Sequence, residues 1–118
     1  MNVKGDGTEL LSRLLSVTQK RQQVIMGNLA NVETPGWKRK RVEFESLLAD
    51  AMGKPTGDPL AVEPEIVTDD LTPGRPDGNN VHMELELNSL RENRLLYQTY
   101  AAILNHRFSA IDAALREN

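Results

Sequence analysis

From Thr8 to Val32, residues return at alternating steps of four and three: Leu11, Leu15, Thr18, Gln22, Ile25, Leu29 and Val32 fall on one line. That spacing places side chains on one face of an α-helix, and it predicts a helix over 8–32. Thr18 and Gln22 interrupt the stripe, so it is strongly apolar at each end and weaker midway. Asp6 stands before the helix as a capping acceptor, with Glu9 three positions on, the pattern of a capping box. Thr34-Pro35-Gly36 stops the helix. Pro35 drives Thr34 towards extended geometry, and Gly36 suits the left-handed corner of a tight turn.

The same rhythm is clearer at the other end of the chain. Asp77-Gly78-Asn79-Asn80 reads as a turn and then a helix cap. Met83, Leu87, Leu90, Arg94, Tyr97, Ala101, Leu104, Phe108, Ile111 and Leu115 then hold the four-three spacing, and only Arg94 is polar. A second row, Leu96, Tyr100, Ile103, Ala110 and Ala114, occupies the neighbouring face. A repeat near 3.5 residues over this length predicts coiled-coil packing along a helix from 81 to 116, roughly 50 Å long.

Between the helices, 33–80 is a different kind of sequence. Five of the six prolines fall between Pro55 and Pro76, a density that blocks both helix and central-strand pairing. Val42 to Met52 suits a short helix, and Leu60–Val62 and Ile66–Val67 suit short strands; the rest reads as an extended loop. The predicted fold is mainly α. Two long terminal helices pair as a coiled-coil-like hairpin, joined by an irregular Pro/Gly-rich segment with little strand, in one domain over 1–118.

Such a hairpin buries one seam per helix. The second apolar row of the C-terminal helix then either faces water, where exposed apolar surface of that extent marks a partner site, or packs against the chain's own middle loop in an ordinary small helical bundle. Contacts that join different surfaces head to tail without closing a ring build a helical filament. Composition agrees with an interaction module rather than a large independent core. The chain has 118 residues, 39% of them apolar and five aromatic, with a net charge of -3. That balance disfavours a strongly basic nucleic-acid binder. No cysteine is present, which removes disulfides, thiolate metal sites and cysteine nucleophiles. Met1 to Glu9 holds no apolar run of the roughly 7–15 residues that a secretory signal needs, and no stretch approaches the roughly 20 of a membrane span.

Candidate chemistry is sparse. His82 and His106 are 24 residues apart with no converging ligands, so neither metal nor cofactor is expected. Glu84 and Glu86 point to different faces of a helix and suit its N-terminal dipole. No nucleophile elbow or phosphate loop appears, and no catalytic role is expected. Lys38-Arg39-Lys40-Arg41, beside Trp37, would serve an anionic partner; Glu43 and Glu45 follow at once, favouring a solvated or subunit-bridging loop. Asn28 and Asn31 lie one turn apart ahead of Thr34-Pro35-Gly36-Trp37. Their amides are placed to satisfy backbone groups left free where the helix stops.

The run Gly27-Asn28-Leu29-Ala30-Asn31-Val32-Glu33-Thr34-Pro35-Gly36-Trp37-Lys38 resembles the signature of bacterial flagellar rod and hook proteins. Asp77-Gly78-Asn79-Asn80-Val81, with Glu92-Asn93 and Tyr97, is similar to the proximal rod subtype. Tyrosine is usual where Trp37 stands, and serine is common in place of Gly27. The resemblance spans nearly the whole chain. It implies a structural subunit whose paired terminal helices form the inner wall of the hollow rod across the periplasm. Such subunits leave the cytoplasm unfolded through the flagellar type III export apparatus, without a cleaved signal peptide. The implied partners are further copies and other rod and basal-body proteins, with no substrate, cofactor, nucleic acid or membrane insertion. Phe44 and Leu48 resemble the short Phe-x-x-x-apolar signals of export substrates, though a packing contact of the short middle helix explains them equally. Two other assignments fit the residues: another axial rod-family subunit, and a small cytoplasmic helical regulator using Lys38 to Arg41 on nucleic acid.

Overall fold

A computed structural model describes residues 7–117. The N-terminal helix α1 spans Thr8–Ala30. Its cap position is Gly7, in left-handed geometry and without a side-chain cap bond; Asp6, expected to cap it, lies outside the described residues. The chain next forms strand β1 (Lys40–Glu43), helix α2 (Glu45–Met52), a 3-10 turn at Pro59–Ala61 and strand β2 (Glu65–Thr68). The C-terminal helix α3 runs over Met83–Arg116. The molecule is mainly helical, with two long terminal helices packed together, and measures 66 × 32 × 14 Å.

Both long helices are shorter than expected at the corner end. Helix α1 stops at Ala30 instead of Val32, where Asn31 takes a non-helical conformation. Helix α3 begins at Met83 instead of Val81, because His82 at its cap is extended.

The middle segment is more folded than its prolines suggest. Strands β1 and β2 pair antiparallel in the register Lys40↔Thr68, Arg41↔Val67, Val42↔Ile66 and Glu43↔Glu65. Only β2 was foreshadowed, by Ile66–Val67. The strand expected over Leu60–Val62 is a 3-10 turn, which Asp58 caps by accepting from the Leu60 amide (3.0 Å). Pro59 opens that turn, and the missing amide of proline suits a first helical position. Val42 belongs to β1, so the short helix starts three residues later than expected.

This hairpin and α2 fold back on α1. Val17, Val42 and Phe44 form the buried cluster, with Leu14, Val24, Leu48 and Val62 against it. None of the α1 members of that cluster lay on the expected stripe. Helix α1 therefore has two working faces. Leu11, Thr18 and Ile25 are buried and Leu15 and Leu29 half-buried, while Gln22 faces solvent. Burying Leu14, Val17 and Val24 as well requires an apolar arc wider than one seam.

The seam of α3 is rotated from the one expected. Leu90, Leu104 and Ile111 are half-buried, as anticipated. The seam also takes in Glu86, Asn93, Tyr100 and Arg107, with Leu87, Arg94 and Phe108 turned outward and Ala101 half-buried beside Tyr100. Glu86 and Asn93 are buried, whereas Leu87, Phe108 and Leu115 are exposed, the last two at 51% and 69%. Tyr97 is also exposed. Polar partners on α1, and Arg39 just before β1, reward Glu86 and Asn93 for turning inward, which leaves apolar residues outward. The outward apolar surface of α3 thus draws on part of the first row read from the sequence, Leu87, Tyr97, Phe108 and Leu115, and on part of the second, since Leu96 and Ile103 are exposed too.

Candidate functional site

The chain must leave α1, turn through Thr34 to Trp37, and later re-enter α3 beside the same point. Gly36 makes the turn with φ of 77°, and Gly78 makes the returning one with φ of 91°. These are left-handed values that glycine adopts at little cost. The turns lie against each other: a Cβ on Gly78 would stand 3.4 Å from Gly36 Cα. Gly36 N donates to Asp77 O (2.9 Å), and Asn80 N donates to Trp37 O (3.2 Å). The two sequence signatures are therefore two halves of one corner.

Four asparagines fasten it. Asn28 is buried, and its amide imitates a strand partner: Nδ2 donates to Lys40 O (2.7 Å) and Oδ1 accepts from Lys40 N (2.9 Å). Trp37 Nε1 also donates to Asn28 Oδ1, at 3.4 Å. Asn31 acts locally, donating to Gly27 O (2.8 Å) and accepting from Thr34 Oγ1 (3.0 Å). Asn79 Nδ2 points at the C-terminal end of α1 and donates to the carbonyls of Asn31, Val32 and Thr34 at 2.8–3.1 Å. Helix ends leave carbonyls without partners, so a residue expected to cap α3 in fact closes α1. Its Oδ1 accepts from Val81 N (2.8 Å), and its own amide is held by Asp77 Oδ1 (2.9 Å). Asn80 accepts from Arg39 N (2.6 Å) and donates to Asp69 O (2.7 Å). Asn79, Asn80 and Val81 are all buried. Ala30 ends α1, and Thr34 and Pro35 stay on the surface of the turn.

Beneath the corner lies a charged triad that pattern reading missed. Glu86, fully buried, accepts from Arg39 Nε (2.7 Å) and from Asn28 Nδ2 (3.2 Å). Arg39 Nη1 also reaches Asp69 Oδ2 (2.7 Å). The Thr72 hydroxyl, followed by Arg39, holds the Asp69 carboxyl well below the usual carboxylate range. Hydrogen bonds and a cation stabilise the ionised form. Further along the seam, Asn93 Nδ2 donates to Thr18 O (2.7 Å). The signal for Glu86 and Asn93 was the spacing by threes, fours and sevens that they share with Leu90, Tyr100, Leu104 and Ile111. Scoring only apolar residues passes over it.

Half of the basic run, expected as a solvated or subunit-bridging loop, is engaged by the same structure, while Lys40 and Arg41 stay exposed. Lys38 Nζ donates to Gly78 O (2.6 Å), Arg39 joins the triad, and Lys40 Nζ lies 4.7 Å from the Trp37 ring centre. Arg41 is the most loosely held, 3.9 Å from Glu43. Glu86, expected to suit the dipole at a helix start, does lie in the first turn of α3, and it is also the most buried acid in the corner. Phe44 is 1% exposed with Leu48 packed beside it. In the folded chain the pair is a packing contact. Among the described residues no cluster of three potential metal ligands occurs, and no helix is long and apolar enough to cross a membrane.

No family model matches the chain. Individual proteins do. The flagellar basal body rod protein FlgB of Borrelia hermsii is 30% identical over 98% of this chain and 100% of its own length. FlgB of Cereibacter sphaeroides strain ATCC 17023 is 33% identical, with 89% and 90% covered. FlgB of Bacillus subtilis is 30% identical, with 89% of each chain covered. Agreement at this level, across both helices and the corner that joins them, places the chain in the family of flagellar basal body rod protein FlgB.

Proposed function

We propose that the protein is a non-catalytic structural subunit of the flagellar basal-body rod, of the proximal type, forming one rod-protein domain over 1–118. It polymerises through its terminal helices into the hollow shaft crossing the periplasm, and flagellum assembly and motility require it. The observation that carries this reading is the two-sided α3 of a chain related to rod proteins over nearly its whole length. One side is closed against α1, while Leu87, Phe108 and Leu115 stand outward on the other. Outward apolar rows on a long helix serve helix-to-helix contacts.

The corner supports the same reading. Its hydrogen bonds set the direction in which the chain leaves α1 and enters α3, and so fix the two helices relative to the hairpin. A repeating assembly needs that angle to be the same in every copy. Engagement of Lys38 and Arg39 within the fold leaves two cations of the run, Lys40 and Arg41, exposed, fewer than a nucleic-acid patch of roughly five to eight requires.

Partners are further copies, other rod and basal-body proteins, and the flagellar type III export apparatus, which passes the chain without cleavage of a signal peptide. Phe44 and Leu48, buried after folding, become available in the unfolded chain during export. Phe44→Leu keeps apolar packing yet removes the aromatic ring; it is expected to lower secretion with an unchanged cytoplasmic level. Equal secretion would remove the signal role. The reading as a whole is tested by deleting the gene: loss of swimming and of rods in purified basal bodies, restored by the wild-type chain, is expected. Intact rods would overturn it.

A further inference from the structure

Leu71 is 94% exposed, more than any other large apolar side chain among the described residues. It is also held in place. Asp69 Oδ1 accepts from the amides of Leu71 (3.0 Å) and Thr72 (3.1 Å), and Asp69 Oδ2 accepts from the Thr72 hydroxyl (2.6 Å). Through Asp69 the turn is tied to Arg39 and the corner. Beside it Asp70 is exposed and makes no hydrogen bond or ion pair among the described residues. An ordered turn thus presents one leucine and one unpaired carboxylate. Rigid apolar anchors of this kind dominate binding energy because little entropy is lost when they dock.

A matching receptor lies between α1, β1 and α3. A cleft of about 250 Å³ is lined by the apolar Val24, Ile25 and Leu96 and by more cations, Lys40 and Arg41 among them, than acids, of which Glu92 is one. Cavities of about 150 Å³ hold a benzene molecule, so this one admits a leucyl side chain. Asn93 lines the cleft; it is 3% exposed, and its Oδ1 has no hydrogen-bond partner. A buried carbonyl oxygen without a donor is costly, and the unengaged amide of Asp70 is a donor of the kind it lacks.

We propose that the Asp70-Leu71 turn of one subunit docks into the α1–β1–α3 cleft of a second copy, with Leu71 against Leu96 and Asp70 against Arg41. The occupant is a second copy because apolar shape and charge sign complement each other within one chain. This inference rests on the rod reading and gives Leu96, on the second apolar row of α3, a specific occupant.

The absence of cysteine makes the test clean. Full-length chain carrying Leu71→Cys and Leu96→Cys is incorporated into basal bodies, which are then oxidised and blotted for this protein. Disulfides form only where Cα atoms come within about 7 Å. A ladder of covalent multimers is expected from the double variant and none from either single variant. Adding Asp70→Lys is expected to lower the ladder about tenfold, and combining it with Arg41→Asp to restore it. An incorporated double variant without a ladder, or a ladder indifferent to Asp70→Lys, overturns the docking. If Leu71→Cys or Leu96→Cys melts like wild type but fails to incorporate, the contact is supported by that loss. Failure of the wild-type chain to enter basal bodies overturns the rod reading instead.

Discussion

Asn79 closes the end of α1 from 48 positions away in the chain, and its amide serves three carbonyls at once. Asn79→Ala removes that donor from a buried corner, where an unpaired polar group costs about 1–3 kcal/mol. Chemical denaturation is expected to show a loss in that range or above it. Asn79→Asp should be worse, because it sets a carboxylate against the same carbonyls. A loss below about 0.5 kcal/mol for both variants, typical of surface changes, would mean that the corner does not depend on Asn79. Gly36 isolates a different effect. A Cβ there meets nothing within 4 Å, so Gly36→Ala reports backbone strain alone, on the order of 1 kcal/mol. Gly36→Val should cost more, since branching at Cβ further restricts positive φ. The sequence named Gly36 as a left-handed corner from its place after proline, and the φ value agrees. It did not reveal that Asn79 acts on α1, because cap patterns are local and this one bridges two distant segments.

At the scale of elements, β1 and β2 are held by polar groups as much as by apolar packing. Phe44→Ala empties the centre of the Val17–Val42 cluster, and truncating a buried phenylalanine costs about 3–5 kcal/mol. Glu86→Ala leaves Arg39 with a single carboxylate in a largely buried site; breaking such a pair costs a similar amount. The Asp69 interaction carries a pH signature. Its carboxyl titrates below the ordinary value in the folded chain, so the folded state binds its proton less readily than the unfolded state does. That stabilisation is complete above about pH 4, the unfolded value. It is lost as pH falls through the lower folded value. The melting-temperature gap between wild type and Asp69→Asn is therefore expected to be constant near neutrality and to narrow below about pH 4. A gap that widens on acidification would contradict the assignment. The helices were legible because four-three periodicity survives in both. The rotation of the α3 seam was not, because it is decided by Glu86 and Asn93. Their inward turn depends on Arg39 and on the Thr18 carbonyl, partners that no local pattern connects to them.

At the scale of the whole molecule, the rotation changes which substitutions report on folding and which on assembly. Leu104 is half-buried on the α1 side, so Leu104→Asp is expected to destabilise the subunit itself. Phe108 stands outward and is 51% exposed, so Phe108→Asp should leave the subunit folded and fail only where a neighbour covers it. Both positions lie on the one row that sequence periodicity picks out, and only the structure separates them. The decisive measurement is incorporation of the Phe108→Asp chain into purified basal bodies of a strain lacking the wild-type copy, alongside its melting temperature. An unpaired carboxylate in an apolar interface costs several kcal/mol. The account predicts wild-type thermal stability with incorporation reduced at least about tenfold, the equivalent of 1.4 kcal/mol. Wild-type incorporation of a stably folded Phe108→Asp chain would contradict assembly through the outer row of α3.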